Sequence, residues 1–312
     1  MIGSERLYVV GAGSIGMPLA ALLTDRGLPV TAVRTSIEGL VSAPVEVTVE
    51  LSAGQSLRAV VETASLSAIG PVNSGIVVLT AKATANKVLA AKLREKFAGL
   101  PLVVLQNGIG VEQPFSEAGF AVVYRCVLYA TGQAEGKHCY RFREVAASPL
   151  GVVNGHPAQA QAIVELLSSP GFRFCYEENI AGQAWKKAII NAAFNSICPL
   201  LDVDNGIFHR DEGVAAIAAA VIDEGSSVAA RRGICFAAGE LLEQLLLISR
   251  RADGQLISTL QDLNQGRETE IDFLNLEIAR VGAELNPPVD TPITRLLGEM
   301  ILAKSRIGRR AG

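Results

Sequence analysis

Hydrophobic and polar positions alternate along the first half of the chain with two periods, one typical of strands and the other of helices. Residues 14–26 and 83–97 carry apolar positions at helical spacing, and residues 44–64 alternate around a Ser-Ala-Gly turn as a hairpin or two neighbouring strands would. Strands and helices in this order predict a parallel sheet covered by helices. The short apolar runs that predict buried strands are 7–10, 29–33, 75–82 and 101–108.

The pattern changes to long helices from about residue 157. Strands are predicted before the change at 119–129 and after it at 172–176, and residues 130–153 form a polar excursion that returns to an apolar stretch. We therefore predict an α/β chain, with a Rossmann-type doubly wound parallel sheet domain over 1–178 and an all-helical domain over 179–312. The predicted helices of this part are 157–168, 180–201, 211–232, 237–250, 266–284 and 291–304.

Composition and charge narrow the class of protein. Of the 312 residues, 49% are hydrophobic and 19% are charged, which excludes a disordered chain and suits two well-packed domains. The 28 Lys and Arg residues nearly balance the 31 Asp and Glu residues, so neither nucleic acid nor an anionic membrane is an expected partner. The five cysteines and three histidines lack the spacing of a disulfide framework or a metal site. We expect a cytoplasmic protein without a metal site.

A glycine-rich turn with GxGxxG spacing joins the first predicted strand to the first helix, which predicts dinucleotide binding. The first glycine permits a tight turn, the second lets the backbone approach a pyrophosphate, and the third lets helix and strand pack closely. The helix N-terminus that follows attracts phosphate charge. A purely structural glycine turn is the other interpretation. The expected cofactor-binding residues of this turn are Gly11, Ala12, Gly13, Ser14, Ile15 and Gly16.

The end of the second predicted strand distinguishes between nicotinamide cofactors. NAD-binding strands usually end there with Asp or Glu, because a carboxylate bonds the ribose hydroxyls. This chain has Arg34 followed by Thr35 and Ser36. A guanidinium beside two hydroxyl side chains suits a 2′-phosphate, so we predict NADPH (NADP) as the cofactor. A surface arginine at a strand end is the other interpretation.

Three polar residues form a stripe on an otherwise apolar predicted helix. Lys187, Asn191 and Asn195 are spaced four residues apart, so each step advances about 400° and the stripe stays near one face. A lysine can protonate a developing alkoxide, and carboxamides can hold a carboxylate or hydroxyl by directional hydrogen bonds. A solvated stripe is the other interpretation, although the apolar neighbours leave little surface for it. Lys186 is the better candidate for a plain surface lysine.

Seven short motifs are distributed along nearly the whole chain. They are GAGSIG at 11–16, TAK ending at Lys82, QNGIG at 106–110, WKKAIINAAFN at 185–195, Asn-Gly at 205–206, STLQD at 258–262 and GRETEID at 266–272. Together they resemble the ketopantoate reductase (2-dehydropantoate 2-reductase) family. The resemblance implies a Rossmann domain and a helical domain, with NADPH reducing a 2-oxo acid in the cleft between them.

The resemblance also implies a role for each matching side chain. Lys187 matches the family's proton donor, and Asn107 matches a position that touches both the nicotinamide ribose and the substrate. Lys82 and Glu270 match cofactor-binding positions. The positions that would hold the substrate are Asn107, Asn191, Asn195, Asn205 and Ser258.

Two segments depart from the family pattern. The segment that carries Arg34 is about one residue shorter than usual. Residues 130–150 lack the glycine-rich strand pair that usually follows the last Rossmann strand, which would reshape the mouth of the cleft. The expected function is NADPH-dependent reduction of a 2-oxo acid to a 2-hydroxy acid, with ketopantoate to pantoate as the first candidate. A reductase of a different 2-oxo acid and a non-catalytic NADP(H)-binding sensor are the alternatives, and a homodimer is left open.

Overall fold

The computed structural model describes residues 5–36, 38–39, 41–51 and 54–311. Residues 310 and 311 are described without their side chains. Contacts divide the chain into two compact units. Unit 1 runs to Gln106 and resumes over Val111–Ile180, and unit 2 comprises Asn107–Gly110 and the chain from Ala181 onward.

In its described residues, unit 1 is built on one eleven-stranded sheet with four α-helices. Its strands are β1 (Leu7–Val10), β2 (Val30–Arg34), β3 (Ala43–Glu50), β4 (Ser56–Ser65), β5 (Ile76–Leu79), β6 (Leu102–Val104), β7 (Val123–Cys126), β8 (Ala130–Gly136), β9 (Cys139–Glu144), β10 (Ser148–Asn154) and β11 (Phe174–Tyr176). Its helices are α1 (Gly16–Asp25), α2 (Asn86–Phe97), α3 (Gln113–Glu117) and α4 (Pro157–Leu167).

The order of the strands is β11-β10-β7-β6-β5-β1-β2-β4-β3-β9-β8. The six central strands from β7 to β4 are parallel, which confirms the predicted α/β architecture. The sheet is nevertheless mixed, because β10 pairs antiparallel with β7, β3 with β4, and β8 with β9. The predicted pairing of residues 44–64 is the β3–β4 hairpin, although residues 52 and 53 of its turn lie outside the described residues. The carboxyl end of β1, between β5 and β2, is the switch point at which such sheets bind ligands.

The prediction that residues 130–150 lack a strand pair is wrong. β8 and β9 form an antiparallel hairpin, and β9 also adds in parallel to β3. Tyr140 and Phe142 of β9 are buried and alternate with the exposed Arg141 and Arg143. This period of two is the signal of a half-buried strand, but the many charged residues of the segment favoured a polar loop.

Unit 2 contains helices and, among its described residues, no strand. Its central helix α5 places Ile189, Ala193 and Phe194 in the core, and Gly225 lets the next long helix approach, since a Cβ there would lie 2.9 Å from Ile189 Cγ1. The helices are α5 (Ile180–Leu201), α6 (Ile207–Arg210), α7 (Glu212–Arg231), α8 (Glu240–Arg251), α9 (Ser258–Asn264), α10 (Asn275–Glu284) and α11 (Pro292–Ala311).

One predicted helix of unit 2 is shorter than expected, and two helices, α6 and α9, were not foreseen. The pattern over 266–284 predicts one helix, but α10 begins only at Asn275. Gly266 has φ +63°, and Leu274 has φ −116° and ψ −101°, so neither belongs to a helix. The preceding polar segment instead forms α9. The helix α7 is long and apolar enough to cross a membrane by length and composition, and its Val221 and Val228 pack in the core of unit 2.

Candidate functional site

The loop after β1 is packed tightly at its first and third glycines. Gly11 has φ +110°, and a Cβ on it would lie 2.3 Å from the backbone nitrogen of Ala81. A Cβ on Gly16 would lie 2.0 Å from the carbonyl oxygen of Gly11. The hydroxyl of Thr80, just after β5, donates a hydrogen bond of 2.8 Å to the same oxygen. Only glycine therefore fits these two positions without displacing backbone.

The second glycine of the loop faces open space. A Cβ on Gly13 would meet no atom within 4 Å, so the backbone there is bare on one side. No side chain caps the N-terminus of α1, which begins at Gly16. Anions are favoured at such a helix end because its backbone N–H groups and dipole are positive. The residues present therefore fit the pyrophosphate of a dinucleotide.

Arg34 and Lys82 stand at the carboxyl ends of the two strands that flank β1. Arg34 is the half-buried last residue of β2, and its Nε atom is buried with no hydrogen-bond partner among the described residues. Lys82 is exposed and precedes a 3-10 turn at Ala83–Ala85, just beyond β5. A buried donor without a partner is unfavourable. The Arg34 guanidinium is thus prepared for an anionic ligand.

Two buried amides that the sequence analysis did not select stabilise the carboxyl ends of the central strands. Gln106 Nε2 donates to Asn86 Oδ1 at 2.7 Å, and Asn86 Nδ2 donates back to Gln106 Oε1 at 2.8 Å. Gln106 Nε2 also donates to the carbonyl of Ala81 at 2.7 Å, and Asn86 Nδ2 to that of Val111 at 2.9 Å. The pair ties together the chain segments that follow β5 and β6. In the sequence, Asn86 looks like any polar residue at the start of a helix.

In unit 2, Lys187 lies beside Asn107. The Lys187 ammonium donates a hydrogen bond of 2.9 Å to Asn107 Oδ1, although the two residues are 80 positions apart in the chain. The short segment Asn107–Gly110 is anchored by its Ile109 N–H, which donates to the carbonyl of Phe273 at 2.9 Å. Lys187 is only half-buried. The arrangement orients an ammonium that a ligand can still reach.

Asn195 connects α5 to the beginning of α9. Its side chain is 3% exposed, and its Oδ1 accepts hydrogen bonds from Thr259 Oγ1 at 2.7 Å, Ser258 Oγ at 3.2 Å and Thr259 N at 3.4 Å. Its Nδ2 donates to the backbone carbonyl of Asn191 at 3.0 Å. Ser258 itself is exposed and Asn191 is half-buried. Asn195 therefore positions Ser258, and Thr259 is a participant that the sequence analysis did not identify.

Asn205 lies in the turn between α5 and α6 and has a buried, unpaired oxygen. The residue is 7% exposed, and its Oδ1 has no hydrogen-bond partner among the described residues. Its backbone is held on both sides, since its N–H donates to the carbonyl of Gln255 at 2.9 Å and its carbonyl accepts from Ser249 Oγ at 2.7 Å. A buried acceptor that is held in place without a partner is available to a ligand.

The residue before Asn205 anchors the same turn electrostatically. Asp204 Oδ1 accepts hydrogen bonds of 2.7 Å from both Arg210 Nη2 and the backbone N–H of Gly206. The hydrogen bonds from Arg210, and then from Gly206, hold the pKa of Asp204 below its usual value. Arg210 also contacts Asp253 at 3.0 Å. This cluster fixes the backbone on which Asn205 sits.

Glu270 is half-buried and precedes a short 3-10 turn at Ile271–Phe273, rather than the start of a long helix. Its carbonyl accepts a hydrogen bond of 3.0 Å from the N–H of Phe273. Phe273 in turn packs closely on Gly108, where a Cβ would lie 2.6 Å from Phe273 Cβ. The turn after Glu270 therefore supports the segment that carries Asn107.

The residues selected from the sequence fall into two groups. In unit 1, the glycine-rich loop, Arg34 and Lys82 stand at the carboxyl ends of adjacent strands. In unit 2, hydrogen bonds join Lys187 to Asn107, and Asn195 to Ser258. Three other selected residues belong to unit 2: Asn191 lies on α5, and Asn205 and Glu270 lie in separate loops.

Comparison with known proteins finds similarity along both units. Models of the ketopantoate reductase PanE/ApbA family match residues 7–154, and 179–305 for its C-terminal part. A 2-dehydropantoate 2-reductase from Pyrococcus horikoshii is 28% identical over 97% of this chain and 98% of that protein.

Two solved structures share the fold over nearly the whole chain. A PanE/ApbA family ketopantoate reductase from Ralstonia eutropha JMP134 has a TM-score of 0.84 at 22% identity and covers 98% of this chain and 100% of that one. The ternary structure of D-mandelate dehydrogenase with NADH and anilino(oxo)acetate has a TM-score of 0.83 at 22% identity, over 97% and 99%. At these identities the structural matches establish the fold.

Proposed function

The chain belongs to the ketopantoate reductase PanE/ApbA family, and we propose that it reduces a 2-oxo acid to a 2-hydroxy acid with NADPH. The first candidate reaction is 2-dehydropantoate to pantoate, the reaction named for the relative of similar length. The observation that carries the proposal is the Lys187 ammonium held at 2.9 Å by Asn107 Oδ1 in a half-buried position. Such a group is what the reduction of a ketone requires from the protein.

Unit 1 holds the nucleotide in this proposal. The backbone at Gly13 would bind the pyrophosphate and Arg34 the 2′-phosphate, and Lys82 and Glu270 would be further cofactor-binding residues. The unpaired Arg34 Nε and the open space at Gly13 support this assignment. When bound, the reduced nicotinamide supplies a hydride to the ketone carbon.

Lys187 supplies the proton. An ammonium has three N–H donors, and Asn107 Oδ1 accepts from one of them, which fixes the direction of Nζ. Lys187 polarises the ketone oxygen and transfers a proton from Nζ to it as it becomes a hydroxyl. Its positive charge stabilises the alkoxide that develops at that oxygen, and this stabilisation lowers the barrier.

The polar groups around α5 hold the substrate. Ser258 presents its exposed hydroxyl at a position set by Asn195, and Asn191 lies one helical turn from both Lys187 and Asn195. Asn205 offers a buried oxygen that accepts a hydrogen bond. An acceptor of this kind suits a substrate hydroxyl, whereas a carboxylate needs donors such as Ser258 and the Asn191 amide.

The proposal is tested by following NADPH consumption with purified protein over a panel of 2-oxo acids that includes 2-dehydropantoate and smaller, larger and aromatic side chains. We expect turnover with at least one of them and the highest kcat/KM with 2-dehydropantoate. Tight NADPH binding without turnover on any 2-oxo acid would contradict the reductase and favour the non-catalytic sensor.

A reductase of a different 2-oxo acid is the second candidate. D-mandelate dehydrogenase shares this fold nearly as closely as the ketopantoate reductase does, so the fold does not select between the two substrates. A higher kcat/KM for an aromatic 2-oxo acid than for 2-dehydropantoate would establish it. We further propose that the protein is cytoplasmic and that it forms a homodimer. Sedimentation of the purified chain tests the homodimer.

A further inference from the structure

The β8–β9 hairpin lies against the glycine-rich loop. A Cβ on Gly132, in the middle of β8, would stand 1.9 Å from the carbonyl oxygen of Ser14 and 3.1 Å from the side chain of Ile15. The strand therefore passes directly over the loop that faces the proposed pyrophosphate. A second glycine in the same strand, Gly136, would meet only Cys139 Cβ, at 4.0 Å. The close approach is thus confined to the point where the hairpin crosses the loop.

The turn of this hairpin holds a histidine in an unusual conformation. His138 has φ +64°, a region that glycine or asparagine adopts with less strain. The carbonyl of His138 accepts a hydrogen bond of 3.0 Å from the N–H of Thr48 on β3, so the turn is anchored to the sheet. A positive φ is common in a tight hairpin turn, and the hydrogen bond to Thr48 fixes the backbone of His138 in this one.

The turn also lies near Arg34. Burial, and after it the charges of Arg34 and Lys137, lower the pKa of His138. Burial raises the pKa of Tyr140, and the charge of Arg34 partly offsets that change. Both rings are therefore within electrostatic reach of the guanidinium whose Nε is buried without a partner among the described residues.

We propose that the β8–β9 hairpin is the outer wall of the nucleotide site, and that His138 joins Arg34 in binding the 2′-phosphate of NADPH. This inference rests on the proposed function, because it assumes a dinucleotide on the glycine-rich loop. It gives the segment 130–150, which was expected to reshape the mouth of the substrate cleft, a role in cofactor choice instead.

The chemistry of the ligand fits these two groups. A 2′-phosphate carries up to two negative charges and several acceptor oxygens, and it binds best to a fixed guanidinium with additional N–H donors. A neutral imidazole offers one N–H, and a protonated one offers two and a positive charge. A nucleotide without the 2′-phosphate gives neither group an anionic partner, so His138 contributes discrimination rather than general affinity.

The experiment compares the binding of two adenosine nucleotides to the full-length protein by calorimetry. One probe is adenosine 2′,5′-bisphosphate, which carries the 2′-phosphate, and the other is 5′-AMP, which does not. In His138→Asn, which suits the positive φ and removes the imidazole, we expect the affinity for the bisphosphate to fall about three- to tenfold while that for 5′-AMP is unchanged. Unaltered discrimination between the two probes would overturn the role of His138.

A charge control separates a specific contact from general attraction. Arg141 lies on the same hairpin and forms an ion pair with Glu135. Arg141→Gln removes one positive charge from the hairpin but leaves His138 in place. It therefore tests the general electrostatic attraction between the hairpin and the nucleotide. We expect it to change discrimination less than twofold. An effect as large as that of His138→Asn would show that only the net charge of the hairpin matters, and would contradict the proposal.

A pair of glycine variants tests the wall itself. Gly132→Ala places a methyl group against Ser14 and should weaken both probes, whereas Gly136→Ala on the same strand should leave both affinities as in the wild type. Wild-type binding by a folded Gly132→Ala protein would overturn the hairpin's place over the loop. These readouts concern binding alone, so a protein that discriminates the probes through His138 but reduces no 2-oxo acid would contradict the proposed reductase and leave this inference standing.

Discussion

The two units differ in the chemical groups that form their candidate sites. Unit 1 presents mainly backbone, in a loop whose glycines keep side chains away. Unit 2 presents side chains, and two of them are held by hydrogen bonds with segments far apart in the chain, Lys187 with Asn107 and Asn195 with Ser258 and Thr259. The first design needs close packing around a bare backbone, and the second needs buried polar partners. Mutations in the two units should therefore differ in how they affect stability, ligand binding and kcat.

The largest effect is expected where a single side chain provides chemistry. Lys187→Ala removes the proton donor, so kcat should fall by about 10²–10⁴-fold. Binding of NADPH, measured by fluorescence titration, should change little, because Lys187 is not among the residues assigned to the cofactor. Wild-type kcat in this variant would show that Lys187 is not the proton donor.

The glycine-rich loop offers the sharpest contrast with that result. Gly16→Ala forces a Cβ to within 2.0 Å of the Gly11 carbonyl oxygen and 2.5 Å of Thr80 Oγ1. We expect the free energy of unfolding to fall by about 1–3 kcal/mol, as for other overpacked positions, with weaker NADPH binding. Gly13→Ala meets no protein atom and should keep the wild-type Tm while losing about tenfold or more in NADPH affinity. Wild-type NADPH affinity in Gly13→Ala would show that Gly13 does not face the nucleotide.

The contrast also explains what could be read from the sequence. The GxGxxG turn and the Lys187 stripe are local patterns, one fixed by turn geometry and one by the helical period, so their placement needs no knowledge of the fold. The partnership of Asn195 with Thr259 joins positions 64 apart, and only the packing of α5 against α9 creates it. No periodicity reports such a contact.

Two elements were misread for physical reasons that can be named. In the β8–β9 hairpin, charged residues such as Arg141 outweighed the alternation of Tyr140 and Phe142. The predicted helix over 266–284 is interrupted because Gly266 adopts φ +63° and the chain turns before α10. Both elements lie next to candidate site residues, His138 in one case and Glu270 in the other.

Two asparagines of the α5 stripe should separate positioning from binding. Asn195→Ala leaves Thr259 Oγ1 and N without their acceptor in a buried place, which should lower the free energy of unfolding by about 1–3 kcal/mol. Asn191→Ala removes a half-buried amide with no such bonds among the described residues, and it should cost less than about 0.5 kcal/mol. Its effect should be a raised KM for the 2-oxo acid. Chemical denaturation and steady-state kinetics give the two readouts, and a reversed pattern would contradict the assignment.

A smaller effect is expected from the cluster that holds the Asn205 turn. Arg210→Met removes the strongest partner of Asp204, so Asn205 should be less well fixed and KM should rise about two- to fivefold, with kcat nearly unchanged. Because the pKa of Asp204 is lowered in the folded state, its carboxylate is charged above its ordinary pKa and loses its contribution only as the pH falls through the lowered value. The KM ratio of variant to wild type should therefore stay constant between about pH 6 and 8. A change in kcat alone would assign Arg210 a different role.

The smallest effect is expected at the lysine next to the proposed acid, which makes it the matched control for the whole comparison. Lys186 donates to Glu240 at 2.6 Å, and this bond, followed by one from the Ala237 N–H, holds the pKa of Glu240 below its usual value. Both side chains are partly exposed, so the pair is screened by solvent and Lys186→Ala should cost about 0.2–1 kcal/mol. Its kcat should stay within about twofold of the wild type, because the charge lost is already paired on the surface of α8. If Lys186→Ala instead lowered kcat as Lys187→Ala does, the loss would reflect the helix and not the proton donor.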